Sequence, residues 1–172
     1  TWNFWLPRES ARDQRAEPNR SFIARNLVEI TDGNSTDIER IYAAIHDCRD
    51  RYNLGKVAID PANARKQGQD LMAAGFDVVE FVQNKQSFNE PCRFLMALLA
   101  DKLFRHGGNG VARWMAGNAA VEQDGLGRIM PKKKKSSEKI DGITALCMAL
   151  GVAMHSPVAQ VSSYEDAGVT WI

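Results

Sequence analysis

The chain of 172 residues is 44% hydrophobic and 25% charged, which excludes a disordered or fibrous protein and allows one globular domain with a sizeable core. Its 22 Lys and Arg side chains nearly cancel its 21 Asp and Glu side chains, so any nucleic-acid binding must come from a local basic patch. No apolar run is long enough to span a membrane and no signal peptide is recognisable, which predicts a soluble protein inside the cell.

The first part of the chain predicts two short strands separated by a polar segment. An aromatic run at residues 2–6 is ended by Pro7, as is typical of a strand at the margin of a sheet. Residues 8–20 mix Arg with acids and have no apolar period, so they predict a mobile, solvated loop. A second strand is predicted at 26–30, followed by turn-forming residues.

From Thr36 onward the pattern changes to helices that alternate with strands. Thr36 and Glu39 have capping-box spacing ahead of apolar residues at helical intervals, which predicts an amphipathic helix. The later predictions are strands at 56–60 and 77–82, helices at 63–75, 89–108 with Pro91 in its first turn, 110–121 and 138–154, and a hairpin over 122–131.

This alternation predicts an α/β layered domain, with a central mixed, largely parallel sheet flanked by helices. We expect the domain to span 1–154, with a hairpin and basic loop at 122–137 and a C-terminal tail at 155–172. In such sheets, chemistry gathers where strands end and helices begin. The cysteines are far apart and lie in apolar helical stretches, so we expect reduced core residues at Cys48, Cys92 and Cys147.

Two aspartates stand at such positions and are candidate metal ligands. Asp60 ends a predicted strand ahead of Pro61, and Asp141 begins the last predicted helix. Each has a simpler interpretation, as a turn residue or as a helix-capping acid. Brought together by an α/β fold, the two carboxylates suit Mg²⁺ or Mn²⁺, and a pair of such ions cleaves phosphodiesters. A complete site would normally need a third acid.

A basic run lies immediately before Asp141. Charge runs are often only solvated loops, but Lys side chains in this place can contact phosphates without reading the nucleotide sequence. The residues predicted to bind DNA are Arg128, Lys132, Lys133, Lys134 and Lys135.

Other polar and aromatic residues favour structural interpretations. His106 is typical of a helix C-terminal cap, and Asp124 of a turn. Trp114 and Met115 have the spacing of core residues. Neither a nucleophile elbow nor a phosphate-binding loop occurs in the sequence, so a nucleotide-driven motor is not encoded here.

The ordered set of motifs resembles the C-terminal nuclease domain of the terminase large subunits of tailed phages and prophages. The resemblance covers the chain from its start to about residue 154. The segments that carry it, in chain order, are FWLP, LVEITDGNSTDIERI, VAIDPANA, HGGNGVARWMAGNAAVEQDGLGRIMPKKK and KIDGITALCMAL.

This resemblance implies a ribonuclease-H-like nuclease that cuts concatemeric viral double-stranded DNA during genome packaging, with two Mg²⁺ or Mn²⁺ ions in the complete site. Family members hold the metals with acids on the first strand, on a middle strand and at the start of the last helix. Asp60 matches the middle acid and Asp141 the last. The implied partners are a terminase small subunit and a portal, in the cytoplasm of the bacterial host and away from membranes.

The family's first acidic strand is expected to precede Thr1, so this chain is expected to carry two of the three acids and to bind metal and cleave DNA weakly or not at all. Three alternatives remain open at this point. The chain could be a non-catalytic DNA-binding or docking module of a packaging motor, or another ribonuclease-H-like nuclease such as a resolvase. It could also be a plain α/β scaffold, in which Asp60 and Asp141 are only caps and lie far apart.

Overall fold

The computed structural model describes residues 2–11, 17–134 and 139–156. The elements in chain order are β1 (Trp5–Pro7), α1 (Arg8–Ala11), α2 (Glu17–Ala24), β2 (Glu29–Thr31), α3 (Ile38–Arg51), β3 (Val57–Ile59), α4 (Pro61–Ala73), β4 (Val78–Glu80), α5 (Lys85–Ala100), α6 (Gly110–Asn118), β5 (Ala119–Gln123), β6 (Ile129–Lys133) and α7 (Asp141–Met154).

The strands confirm the mixed α/β class predicted from the sequence. In the described residues they form three separate ladders, where one central sheet was expected: β1 with β2 and β3 with β4 are parallel, and β5 with β6 is antiparallel. The first four strands have three residues each, so every parallel ladder is held by few hydrogen bonds. Helices connect the ladders: α7 contacts β3 and α5, and α5 contacts β6.

The main core lies where α5 and α7 meet the hairpin. Phe88 is fully buried, and its ring lies 5.0 Å from that of Phe81 between centroids. Burying a side chain of this size contributes about 1.5–3 kcal/mol. Cys92 and Cys147 confirm the prediction of free core cysteines, and their sulfur atoms are 3.8 Å apart, whereas Cys48 is free but only partly buried. The buried members of this cluster are Phe81, Phe88, Cys92, Leu95, Ile129, Cys147 and Met148.

The predicted loop at 8–20 is partly wrong, because helices occupy both of its described ends, α1 and the start of α2. Arg8 donates two hydrogen bonds to Asp32 at 2.9 and 2.7 Å, which ties α1 to the turn after β2. Phe22 of α2 is buried and packs with Val111 and Met115 of α6. An apolar anchor that follows a polar segment gives too weak a period to indicate a helix from sequence. Residues 12–16, 135–138 and those after Ser156, including most of the predicted tail, lie outside the described residues.

Two helix boundaries differ from the prediction for identifiable reasons. Helix α5 begins at Lys85, because the Asn84 side chain accepts the Ser87 N–H at 2.8 Å and caps the helix earlier than expected. Pro91 therefore lies inside α5, not in its first turn. The helix ends at Ala100. Two residues later Lys102 takes a positive φ of 57°, a left-handed conformation that is common just after a helix C-terminus.

Helix α3 is capped by Asp37, one residue after the predicted Thr36. Helix α6 stops at Asn118, and the hairpin is longer than predicted, because Ala119 already pairs with Lys133.

Within the described part of the chain, no helix combines the length and apolar character needed to cross a membrane.

Gly151→Ala is expected to lower the free energy of unfolding by about 1–3 kcal/mol. An added Cβ would lie 2.7 Å from Cε2 of Phe81 and 3.3 Å from Cγ of Pro91, and both groups are held in the core. Urea denaturation measures the change. Gly117→Ala is the control, since nothing lies within 4 Å of its added Cβ and alanine favours a helix. Equal unfolding midpoints for Gly151→Ala and wild type would contradict the prediction.

Candidate functional site

A cleft of about 530 Å³ opens between the carboxyl ends of β3 and β4, strand β6 and the start of α7. Both predicted aspartates, Asp60 and Asp141, line it. Its floor is apolar and is formed by side chains such as Phe88 and Met148. The polar residues around its wall are Asp60, Asn63, Gln83, Lys132, Lys133, Asp141 and Thr144.

Asp60 is the N-cap of α4, so the capping interpretation of this residue is correct. One carboxylate oxygen accepts the Ala62 N–H at 3.1 Å, and the other accepts Nδ2 of Asn63 at 2.8 Å. Pro61 occupies the first helical position, where its missing N–H costs nothing. These bonds fix the orientation of the carboxylate, and each oxygen retains a lone pair for a further ligand. Capping and ligation are therefore compatible at Asp60.

Asp141 is the first residue of α7, and it does not cap the helix through its side chain. The N-cap is Ile140, which makes no side-chain capping bond. The Asp141 carboxylate is exposed and, across the part of the chain that the structure describes, forms no hydrogen bond or ion pair. An acid in the first turn is favoured by the helix dipole, but this carboxylate is otherwise free to bind a ligand.

A glycine after Asp141 allows the start of α7 to approach its neighbours closely. A Cβ on Gly142 would lie 3.0 Å from both Sδ of Met115 and Cε1 of Phe4. The Gly142 N–H also donates to the Met115 sulfur at 3.2 Å. The Asp-Gly pair thus combines an exposed carboxylate with a backbone packed tightly against α6.

Lys132 is part of an ion-pair cluster at the edge of the cleft. Its ammonium lies 2.8 Å from one oxygen of Glu122, and the Lys85 ammonium lies 2.5 Å from the other. The hydrogen bonds from Lys132 and then Lys85 lower the pKa of Glu122 to about 2. The cluster keeps a net positive charge, and Glu122 holds both lysine side chains in place.

The remaining basic candidates differ in what their side chains contact. Lys133 is half-buried, lines the cleft, and forms no side-chain hydrogen bond or ion pair with the described residues. The Lys134 ammonium donates to the Gly117 carbonyl at 2.7 Å, at the negative end of the α6 dipole. Arg128 pairs with Asp124 within the hairpin turn at 2.9 Å. Lys135 lies outside the described residues.

The residues given structural interpretations occupy structural places. Asp124 accepts the N–H groups of Leu126 and Arg128 and so forms the hairpin turn. Trp114 and Met115 belong to the second core cluster, around Phe22. The prediction of His106 as a helix C-terminal cap is wrong, because α5 already ends at Ala100; the His106 carbonyl instead accepts the Trp2 indole N–H at 3.2 Å, and the residue does not line the cleft.

Sequence reasoning missed several residues of the cleft. Asn63 follows Asp60 by three positions and Thr144 follows Asp141 by three, so helical spacing could have placed each beside its aspartate. Gln83 follows β4, and the rule that binding groups gather at the carboxyl ends of parallel strands could have indicated it. Glu122 meets Lys132 diagonally across the hairpin, a contact that depends on a register the sequence does not specify.

The oxygen atoms around the cleft are hard donors of the kind that Mg²⁺ and Mn²⁺ take. The two carboxylates are those of Asp60 and Asp141. Within residues 2–11, 17–134 and 139–156, no group of three or more His, Cys, Asp or Glu side chains is arranged to hold a metal ion. Magnesium commonly binds one or two carboxylates and completes its shell with water and substrate phosphates, so this donor set fits such an ion.

Comparisons with known proteins identify the family of this chain. The family model for the terminase large subunit, endonuclease domain, matches residues 6–157. "Protein YmfN" of Escherichia coli K12 is 28% identical over 162 residues, covering 88% of this chain and 35% of that protein. "Terminase, large subunit" of Enterobacteria phage HK97 is 27% identical over 169 residues, covering 95% and 33%.

The fold comparison points the same way. The crystal structure of the HK97 bacteriophage large terminase superposes with a TM-score of 0.76 at 27% identity, over 86% of this chain and 32% of that one. This match confirms the predicted ribonuclease-H-like fold class. The chain spans roughly a third of the length of these curated relatives.

Lys132→Gln is expected to raise the pKa of Glu122 from about 2 toward its ordinary value of 4.5, because it removes the strongest partner of the carboxylate. Since folding depresses this pKa, the stabilisation from the ion pairs is complete above about pH 4.5 and is lost as the pH falls toward 2. A carbon-detected NMR titration of Glu122 measures the midpoint. Lys133→Gln should leave it unchanged. An unchanged midpoint in Lys132→Gln would refute the pairing.

Proposed function

Because this chain belongs to the family of terminase large subunit endonuclease domains, we propose that it is a metal-dependent DNA endonuclease domain that cuts concatemeric viral DNA during genome packaging. The observation that supports this proposal best is the cleft that Asp60 and Asp141 share. The two residues are distant in sequence, and the same cleft carries Lys132 and Lys133. Carboxylates for a cation therefore lie beside ammonium groups for a phosphate backbone.

The carboxylates of Asp60 and Asp141 would hold Mg²⁺ or Mn²⁺, two ions in a complete site. When bound, such ions supply positive charge that activates water and stabilises the leaving oxygen of a phosphodiester. Asn63 holds the Asp60 carboxylate in one orientation through the 2.8 Å hydrogen bond from its amide. Asp141 stands on the rigid first turn of α7, where packing around Gly142 limits its movement.

The lysines of β6 would position the DNA without reading its sequence. Lys133 has no competing partner in the described residues, so its ammonium can meet a phosphate without first breaking an ion pair. Lys132 is held by Glu122, and a phosphate would have to share or replace that carboxylate. Lys134 caps α6 and Arg128 braces the hairpin turn, so we assign neither of them a first contact with DNA.

As a terminase domain, the chain would act on double-stranded DNA in the cytoplasm of a bacterial host. Its proposed partners are a terminase small subunit and a portal. The family match and the terminase of phage HK97 support this assignment. The family match also favours a terminase over a resolvase-type nuclease.

A second candidate function is a non-catalytic DNA-binding or docking module of a packaging motor. It is favoured by one observation: no cluster of three or more metal-ligating side chains occurs in the described ranges. The scaffold alternative, in which the two aspartates are unrelated caps, required them to lie far apart. Their shared cleft argues against that alternative.

Asp60→Asn and Asp141→Asn are each expected to lower Mg²⁺- or Mn²⁺-dependent plasmid nicking by more than the roughly 10–100-fold typical of residues that only support metal ligands. The physical reason is the loss of a charged oxygen ligand with little change in shape. Asp101→Asn is the matched control, because this exposed aspartate lies outside the cleft. Metal-stimulated nicking that survives both substitutions would contradict the assignment of the two aspartates as metal ligands.

Lys133→Gln is expected to weaken binding to double-stranded DNA and to reduce the slope of log affinity against log salt by about 1, because one phosphate contact is lost. Lys134→Gln should keep the wild-type slope, since that ammonium is engaged by Gly117. Fluorescence anisotropy over a salt series measures both. Equal slopes for the two variants would contradict the assignment of Lys133.

A further inference from the structure

We infer that Asn118, the last residue of α6, is a positioning residue for Asp141. A role of Asn118 in catalysis rests on the proposed nuclease function. Its role in holding the start of α7 does not depend on that function. Asn118 does not line the cleft and contacts neither of the two aspartates directly.

Asn118 is bonded to the chain on both sides of the segment that leads into α7. Its side-chain Nδ2 donates to the Lys139 carbonyl at 3.1 Å. Its backbone carbonyl accepts the Lys134 N–H at 3.0 Å. The residue is 8% exposed, so these bonds form with little competition from water. A single buried residue therefore fixes where the chain leaves β6 and where it reaches α7.

A second contact from α6 lies just beyond Asp141. The Met115 sulfur accepts the Gly142 N–H at 3.2 Å, and Gly142 is buried against Met115 and Phe4. Helix α6 thus holds the backbone at Lys139, before the aspartate, and at Gly142, after it. Since Asp141 forms no side-chain bond of its own within the described residues, its neighbours determine where its backbone lies and so from where its carboxylate extends.

The chemistry of the amide explains why asparagine suits this position. An N–H donor is needed for the Lys139 carbonyl, and the side chain must be short to fit a site that is almost fully buried. Leucine has a similar volume but no donor, so it would leave that carbonyl unpaired. Aspartate would place a carboxylate oxygen against the carbonyl oxygen. Both changes leave the backbone bond to Lys134 available.

The test compares Asn118→Leu with Asn109→Ala in the same chain, with Asn118→Asp as the second variant should the leucine variant not fold. Asn109 caps the opposite end of α6 by accepting the Val111 and Ala112 N–H groups, so its loss weakens the same helix far from Asp141. The first readout is metal-free: NMR chemical shifts and hydrogen exchange of the amides at 139–142. The second is the affinity for Mn²⁺, measured by paramagnetic broadening.

We expect Asn118→Leu to shift the resonances of 139–142, to speed exchange of the Gly142 N–H several-fold because the backbone that presents it to Met115 is held less firmly, and to weaken Mn²⁺ binding about tenfold. Asn109→Ala should lower the melting temperature and leave both readouts at wild-type values. Unchanged resonances at 139–142 in both Asn118 variants, or an equal loss of Mn²⁺ affinity in Asn109→Ala, would overturn the inference. If wild type binds no Mn²⁺, the metal-binding part of the proposed function is not supported for this chain, and the metal-free readout still decides the role of Asn118.

Discussion

Helix α7 packs against α5, β3 and α6, and the rest of the structure depends on that packing. Cys147 is 1% exposed in the middle of the helix, and glycines at 142 and 151 allow neighbouring side chains to approach closer than a Cβ would permit. Because interiors are close-packed, α7 has little freedom to slide or rotate. The position of Asp141 at the cleft is therefore a consequence of core packing.

The hairpin of β5 and β6 contributes charge to the same cleft, and its lysines have different local roles. Lys132 is held by Glu122, Lys134 by a backbone carbonyl, and Lys133 has no such partner in the described part of the chain. Alternation along a strand explains part of this division, because successive side chains point to opposite faces. The consecutive lysines look alike in the sequence, but in the fold Lys132 and Lys134 bind protein groups, and Lys133 is left to bind a ligand.

Asp60 shows that a structural role and a chemical role can belong to one residue. As an N-cap it accepts a backbone N–H and the Asn63 amide, and these bonds orient a carboxylate that lines the cleft. Asp141 is held differently. It lies in the first turn of α7, where no side chain caps the helix, and the close packing of Gly142 fixes its backbone. Substitutions near Asp60 therefore act on the site through the start of α4, and substitutions near Asp141 act on it through the packing of α7.

The sequence by itself determined the α/β class, the hairpin, the last helix, and the places of Asp60 after a strand and of Asp141 at a helix start, because periodicity, turn residues and strand-end position are local properties of the chain. It could not determine that 8–11 and 17–20 are helical, because these polar stretches have no apolar period and the buried anchor of α2, Phe22, lies beyond them. Only the tertiary structure decided that Asp60 and Asp141 share a cleft, that Glu122 engages Lys132, and that Asn118 ties β6 to α7. Each of these contacts joins residues through helix packing or strand register, and a one-residue change in either would separate them.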